Sequence, residues 1–320
     1  MTAATPAEKL GAKPAHVPNR KARADVNALK TRERGIWAAN RYLILRRLSQ
    51  ALVVALFLTG PLFGVWIARG TLASSMTLDM LPLTDPLMLA QMLAAGHWPE
   101  GLALIGGAIV ALFYALVSGR AYCAWVCPIN PVTDLAHWTR QKLGIQSKGW
   151  QPRKETRYFV LGMVLATAAA TGTIAWELVN PITIAFRAVV FGATAGLTIV
   201  IGVFLFDLVV ARRGWCSHLC PVGAFYGLVG SKALLKISAV NRTACDDCMD
   251  CFAVCPEPHV ITPALRGAPA GASPIVAARD CTTCGRCIDV CSQDVFRFTH
   301  RFDPRTTDPA PAVTPTREAV

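Results

Sequence analysis

Eight cysteines near the C-terminal end have the spacing of iron ligands. Cys245, Cys248, Cys251 and Cys255, followed by Pro256, form C-x2-C-x2-C-x3-C-P, and Cys281, Cys284, Cys287 and Cys291 repeat it with Ser292 in the proline's place. Three cysteines two residues apart let one tight loop hold three corners of an iron-sulfur cube, while the fourth points towards the other cube. The expected ligand sets are Cys245, Cys248, Cys251 and Cys291 for one [4Fe-4S] cluster, and Cys281, Cys284, Cys287 and Cys255 for its twin. Structural zinc prefers CxxC pairs set apart in sequence, so it fits less well. Disulfides fit less well too, because grouped thiols at ligand spacing point to a reducing compartment.

Four further cysteines form a second repeat. Arg120-Ala-Tyr-Cys123-Ala-Trp-Val-Cys127-Pro128 and Arg213-Gly-Trp-Cys216-Ser-His-Leu-Cys220-Pro221 share the pattern R-x-aromatic-C-x3-C-P. In a helix, cysteines four apart share a face. Cys123, Cys127, Cys216 and Cys220 are thus expected to hold an additional redox centre or to act as a dithiol relay. The plainer alternative is four free thiols packed at an interface.

The elements that position these groups follow from hydropathy and charge. Of 320 residues, 53% are hydrophobic and 16% charged, more apolar surface than a soluble fold of this length buries. Uncharged runs at 48–68, 101–118, 158–176 and 188–206 each approach the roughly 20 residues a bilayer span requires. Gly60-Pro61 is expected to kink the first. The segment before it carries eleven Lys or Arg and residues 119–157 carry seven, whereas 70–100 carry none. By the positive-inside rule both termini are cytoplasmic. The net charge of +12 is thereby explained without nucleic acid. Arg46-Arg47 ahead of an apolar run resembles a twin-arginine signal, but the basic region is too long and no A-x-A site follows.

The expected fold is an α-helical membrane protein with four transmembrane helices and a C-terminal α+β bacterial 2x[4Fe-4S] ferredoxin-like domain. Its parts are a basic cytoplasmic tail at 1–47, with residues 1–35 disordered and touching anionic lipid, a four-span membrane domain at 48–237, the ferredoxin-like domain at 238–302 and a flexible tail at 303–320. An amphipathic helix is expected near 222–236 and a surface loop at 263–274.

The segments GRAYCAWVCPINPVTDLAHW, GWCSHLCPVGAFYG, CMDCFAVCPEPHV and CTTCGRCIDVCSQDVF, with FGVWIARG and LPLTDPL, closely resemble the NapH family, and the likeness runs from about Trp37 to Arg301. The resemblance implies the ferredoxin-type membrane subunit of a periplasmic nitrate reductase system, a quinol dehydrogenase subunit within a complex at the bacterial inner membrane. It implies a NapG-like ferredoxin subunit, the quinol pool and the periplasmic nitrate reductase chain as partners.

Quinol oxidation releases protons and needs acceptors within hydrogen-bond reach. Candidates on the periplasmic side are Asp79, Asp85, His97 and Glu177, and on the cytoplasmic side Asp134, His137, Asp207 and His218. Asp207 and Glu177 adjoin apolar spans, where ionisable groups are costly and often functional. Each taken alone also fits a solvated boundary residue. Two other functions share these cysteine patterns: an electron donor for maturation of another respiratory metalloenzyme, and an anchor whose clusters only dock a partner. No glycine-rich flavin or nicotinamide fingerprint is present.

Overall fold

Uncharged stretches rich in Leu and Ala favour helix, and the computed structural model of the chain is mostly helical. It describes residues 31–145, 152–303 and 305. Most of the expected N- and C-terminal tails therefore lies outside the described residues.

Helix α1 runs Ile36–Phe63, so the helix begins well before the expected position 48. Arg46 and Arg47 lie inside it, and Pro61 falls in its last turn. Among the described residues, α1 is the one helix long and apolar enough to cross a membrane. A three-stranded antiparallel sheet follows: β1 (Ala68–Gly70), β2 (Ser74–Thr77) and β3 (Leu81–Thr84). Next come α2 (Pro86–Ala94), α3 (Gly101–Leu116), α4 (Ala121–Trp125), α5 (Ile129–Lys142), α6 (Thr156–Thr171) and α7 (Trp176–Val179).

The expected run at 188–206 is two helices rather than one. α8 (Pro181–Phe191) ends where Gly192 turns left-handed, with φ 67°. α9 (Leu197–Leu205) starts after a short turn and widens into a π turn at Phe206–Val210. Glycine is apolar enough to leave the hydropathy signal unbroken while ending the helix.

This break uncovers a longer repeat than the cysteine pattern alone. The Asp85 side chain accepts a hydrogen bond from Leu87 N at the start of α2, with Pro86 in the first turn. Asn180 does the same to Ile182 N at the start of α8, with Pro181 in the first turn. Each is a short capped helix preceding a longer apolar one, α3 in the first case and α9 with its π turn in the second. Leu87 from α2 and Ile182 and Ala185 from α8 meet Leu161, Val203, Cys127, Cys220 and Tyr226 in one buried cluster. On the outside, Leu52 of α1, Leu112 of α3, Phe159 of α6 and Ile201 of α9 are exposed.

After α10 (Pro221–Val229) the chain makes a 3-10 turn at Gly230–Lys232 and enters strand β4 (Leu235–Ser238). The expected helix at 222–236 is therefore cut short, and β4 crosses the boundary drawn at 237. β4 pairs antiparallel with β5 (Arg297–His300), in register from Leu235 opposite His300 to Ser238 opposite Arg297. Between them lie α11 (Asp250–Val254), α12 (Ile261–Arg266) and α13 (Arg286–Val290). Residues 263–274, expected as a loop, hold the end of α12 and a 3-10 turn at Ala268–Ala270. Ile237, Val260, Ile261, Val276, Val290 and Phe296 form the core of this α+β unit.

The two halves touch backbone to backbone where α3 ends and α10 ends. A Cβ on Gly119 would lie 2.0 Å from Tyr226 O, and one on Gly230 would lie 2.1 Å from Gly119 N. No flexible side chain can yield there. Gly119→Ala should therefore lower stability by about 1–3 kcal/mol, read as a fall in the heat-denaturation midpoint of the purified protein. An unchanged midpoint would contradict this close approach.

Candidate functional site

The two cysteine loops of the C-terminal unit fold alike. Left-handed residues flank the second cysteine in each: Asp247 and Met249 around Cys248, and Thr283 and Gly285 around Cys284. Each loop then runs into a five-residue helix, α11 or α13, whose end is capped by the fourth cysteine in extended conformation. The result is two sulfur-lined hollows. One, of about 340 Å³, is lined by Cys245, Cys248, Cys251 and Cys291 together with Leu265 and Phe296. The other, of about 410 Å³, is lined by Cys255, Cys281, Cys284 and Cys287 together with Val260 and Ile261.

These residues fit a pair of cubanes. Among the described residues, no three His, Cys, Asp or Glu side chains converge closely enough to hold one ion, whereas a cubane takes thiolates spaced around four irons. Burial pushes Cys248 and Cys281 each up to about 11 and Cys251, Cys255 and Cys287 further. Neighbouring sulfurs add to the effect. Such thiolates need cationic iron to be ionised in this interior. Val295 N donates to Cys291 Sγ at 3.4 Å, the kind of contact that tunes a cluster.

The second repeat is also gathered. Tyr122 O accepts from Cys127 N at 3.0 Å and Trp215 O accepts from Cys220 N at 2.9 Å, so each aromatic of the motif closes a widened turn that ends at the proline. Cys127 and Cys220 share one buried core. Burial, and then Cys123 and Cys220, push the Cys127 thiol up, while burial, Cys220, Asp207 and the two thiols of the first motif do the same to Cys216. The four sulfurs are thus close enough to feel one another's charge. Beside them, Tyr122 stacks on Tyr226 with ring centroids 4.7 Å apart, and Tyr114 meets Tyr226 edge-on at 5.0 Å. Tyr226 Oη donates to Asp85 Oδ1 at 3.0 Å.

A buried ionic network joins this region to the ferredoxin-like unit. Glu257, 2% exposed, pairs with Arg120 at 3.1 Å, Lys154 at 3.1 Å and Arg157 at 3.4 Å. Arg157 also pairs with Asp280, which His259 Nε2 approaches at 3.0 Å. Burial opposes ionisation of both carboxyls, but Arg120, Lys154 and Arg157 overcome it at Glu257, and His259, Arg157 and Arg120 overcome it at Asp280. Both sit below the usual carboxylate range. Other contacts reinforce the junction: Ser118 Oγ bonds Thr283 Oγ1 at 2.8 Å and Trp125 Nε1 donates to Thr283 O at 3.2 Å. A Cβ on Gly285 would lie 2.5 Å from the Tyr42 ring of α1.

The expected proton acceptors are scattered. Asp134 is clamped by Arg46 at 3.4 Å, Arg213 at 2.9 Å and Arg47. Burial opposes its ionisation, yet Arg213, Arg46 and Arg47 hold its pKa below the ordinary value. It is a poor proton acceptor and a good tie between α1, α5 and the second motif. Because the folded pKa is depressed, its stabilisation is fully present above the unfolded value of about 3.9 and is lost below it. The protection factors of α5 amides, exchange corrected for its intrinsic pH dependence, should be unaffected by the clamp between pH 8 and about 5, then fall on further acidification. A loss of protection already between pH 7 and 6 that Asp134→Asn abolishes would be inconsistent.

His137 is half-buried and His218 buried, and desolvation lowers both below the usual imidazole value. Glu177, in α7, accepts from Asn180 Nδ2 at 3.1 Å and from Thr183 Oγ1 at 2.7 Å. His97 and Asp79 lie at the surface, the latter paired with Arg69 at 2.9 Å. Asp207 is 1% exposed; its Oδ1 accepts from Trp215 N at 2.9 Å, while Oδ2 has no partner. The Arg120–Glu257–Arg157–Asp280 network and the tyrosine group are functional candidates that sequence reasoning missed. Glu257 and Asp280 each lie within two residues of a cysteine of the second set, which is the signal that could have found them.

A 4Fe-4S binding domain model matches residues 100–146 and again 193–238, and a 4Fe-4S dicluster domain model matches 244–308. The ferredoxin-type protein NapH of Escherichia coli (strain K12) is 48% identical over 286 residues, covering 89% of this chain and 97% of its own length. This chain belongs to the NapH family of ferredoxin-type proteins. Its NapH relative in Haemophilus influenzae is 49% identical over 84% of this chain and 93% of that protein. The methylamine utilization ferredoxin-type protein MauN of Paracoccus denitrificans is 52% identical over 85% and 94%. No solved structure matches the chain. A NapH-type, ferredoxin-like electron-transfer protein with 4Fe-4S domains is thus the shared description. The two matches to the binding-domain model fall on the two halves of the internal repeat, each containing one C-x3-C-P motif.

Proposed function

We propose that this NapH-family chain is a multi-pass inner-membrane subunit that oxidises quinol and passes electrons through two [4Fe-4S] clusters to a partner ferredoxin. The observation that carries it is the convergence of Cys123, Cys127, Cys216 and Cys220 beside an ionic junction leading to the Cys255, Cys281, Cys284 and Cys287 hollow. Four spans, α1, α3, α6 and α9 with its π turn, are supported by their outward apolar side chains. The basic residues before α1 and between α3 and α6 support cytoplasmic termini.

Quinol gives up two electrons and two protons, and the clusters, when bound, supply one-electron carriers that take the electrons singly. The protein's own residues must take the protons. Asp207 is the best placed, because it is buried, lies within electrostatic reach of Cys216 and has one oxygen with no hydrogen-bond partner. Glu177, next to Asp85 across the repeat, is the counterpart on the other side of the membrane. The Tyr114, Tyr122 and Tyr226 group forms an aromatic floor between Asp85 and the thiols.

The NapH resemblance supports a NapG-like partner and delivery towards a periplasmic nitrate reductase. The 52% identity to a methylamine utilization protein, against 48–49% to the NapH relatives, supports a second reading, in which the same electrons serve maturation of a different metalloenzyme. The core proposal is tested by titrating anaerobically purified protein with a quinol analogue under electron paramagnetic resonance. Both cluster signals should appear with quinol as they do with dithionite. Clusters that dithionite reduces and no quinol analogue does would leave only the anchor reading.

A further inference from the structure

The two arginines of the C-x3-C-P repeat occupy equivalent sequence positions yet have different partners. Arg213 pairs with Asp134, inside the helical half. Arg120, 3% exposed, reaches out of it: its guanidinium donates to Glu257 Oε1 at 3.1 Å, to Asp280 O at 2.9 Å and to Cys216 O at 3.2 Å. One planar group therefore ties the second C-x3-C-P motif to the residue before Cys281 and to the residue two beyond Cys255. Lysine could not make these three contacts with the same rigidity.

Other contacts fix the cysteine loops to the C-x3-C-P segments near the same site: Arg212 donates to Ala253 O, two residues before Cys255, and Ser217 Oγ to Pro256 O at 3.4 Å. Ser118 and Trp125 bind Thr283, between Cys281 and Cys284. The loop of the other set is turned away, with Asp246 and Asp247 exposed. Charge differs as well. Arg120, Arg157 and Lys154 outnumber Glu257 and Asp280 at the junction, whereas at the other site Asp247 pairs with Arg266 at 2.7 Å, Arg34 donates to Cys291 O and pairs with Asp294, and Asp246 is exposed.

We propose that Arg120 is a positioning residue that makes the Cys255, Cys281, Cys284 and Cys287 site the membrane-facing one and raises its affinity for an electron above that of the Cys245, Cys248, Cys251 and Cys291 site. Where Arg213 holds the helices together, Arg120 seats one particular cluster loop against the thiols. This rests on the two sites holding clusters, as proposed above. It does not rest on quinol being the donor.

The experiment uses the full-length protein, prepared without oxygen, as wild type, Arg120→Gln, Arg120→Lys and Glu257→Gln. Redox titration under electron paramagnetic resonance reads each cluster separately, the two signals being assigned with Cys284→Ser and Cys248→Ser. Loss of the cation should lower the potential of the Cys284 cluster alone in Arg120→Gln. Loss of the anion should raise that same potential in Glu257→Gln. Arg120→Lys should restore the potential but not the seating, so amide exchange in residues 280–287 stays faster than in wild type. Quinol-dependent reduction in Arg120→Gln should slow by roughly tenfold or more, with dithionite still reducing both clusters.

Equal shifts in both clusters, or a shift confined to the Cys248 cluster, would overturn the assignment. So would unchanged potentials in Arg120→Gln. Should Arg120→Gln lose its iron, the sign of the Glu257→Gln shift decides alone. If wild type shows no quinol reduction but the potentials shift as stated, the quinol reading fails and the role of Arg120 stands.

Discussion

Replacing Cys123, Cys127, Cys216 and Cys220 together by serine should abolish quinol-dependent reduction of the ferredoxin-like clusters while leaving them reducible by dithionite. The reasoning begins with burial. Cys127 and Cys220 are enclosed in the shared core, and burial with mutual repulsion disfavours their thiolates. Evolution of a merely packed core would be served by alanine or valine, which place no sulfur beside another. Serine keeps the size and removes the soft ligand, so cavity formation is minimal. Iron measured on the same samples separates the two forms of the proposal. A fall by one cubane's content identifies an additional cluster, and an unchanged iron content with lost quinol reduction identifies a dithiol relay. Wild-type quinol kinetics in the quadruple variant would reduce these cysteines to packing.

Glu257→Ala should destabilise the junction by about 3–5 kcal/mol, the usual cost of removing one partner from a buried ion pair. The reason is what remains. Arg120 and Arg157, both within 3.4 Å of Glu257 Oε1, are buried and would lose their shared counter-ion. Asp280 can still pair with Arg157 but not neutralise both. Glu257→Gln keeps the shape and an acceptor oxygen, so it should cost less. The measurement is denaturation of the intact protein followed by cluster absorbance, with amide exchange in β4 and β5 reporting release of the unit. A Glu257→Ala protein as stable as wild type would show that the arginines find water or other partners.

The apolar helices and the grouping of the cysteines were legible for different reasons. Ligand spacing is a local property, because a tight loop must supply three thiols from seven residues, and so the cysteines announced their grouping directly. The pairing of Cys255 with the second loop and Cys291 with the first followed from the direction in which the fourth cysteine points. Helix ends were less visible. Gly192 and Asn180-Pro181 break and restart the chain through backbone angle and capping, neither of which alters hydropathy. The strand β4 was hidden inside an apparent amphipathic helix, since four residues, three of them buried in succession, carry too little periodicity to declare themselves.

The sequence by itself determined the chemistry of this protein: twelve thiols at two kinds of ligand spacing, set among long uncharged stretches with basic flanks. Those are properties of neighbours along the chain. Only the tertiary structure decided how the cysteine loops abut the C-x3-C-P motifs, that Arg120 and Arg213 take different partners, and that Asp134 is a clamp. Each of these depends on contacts between residues far apart along the chain, where burial makes a charge choose its partner by geometry, and no local pattern records that choice.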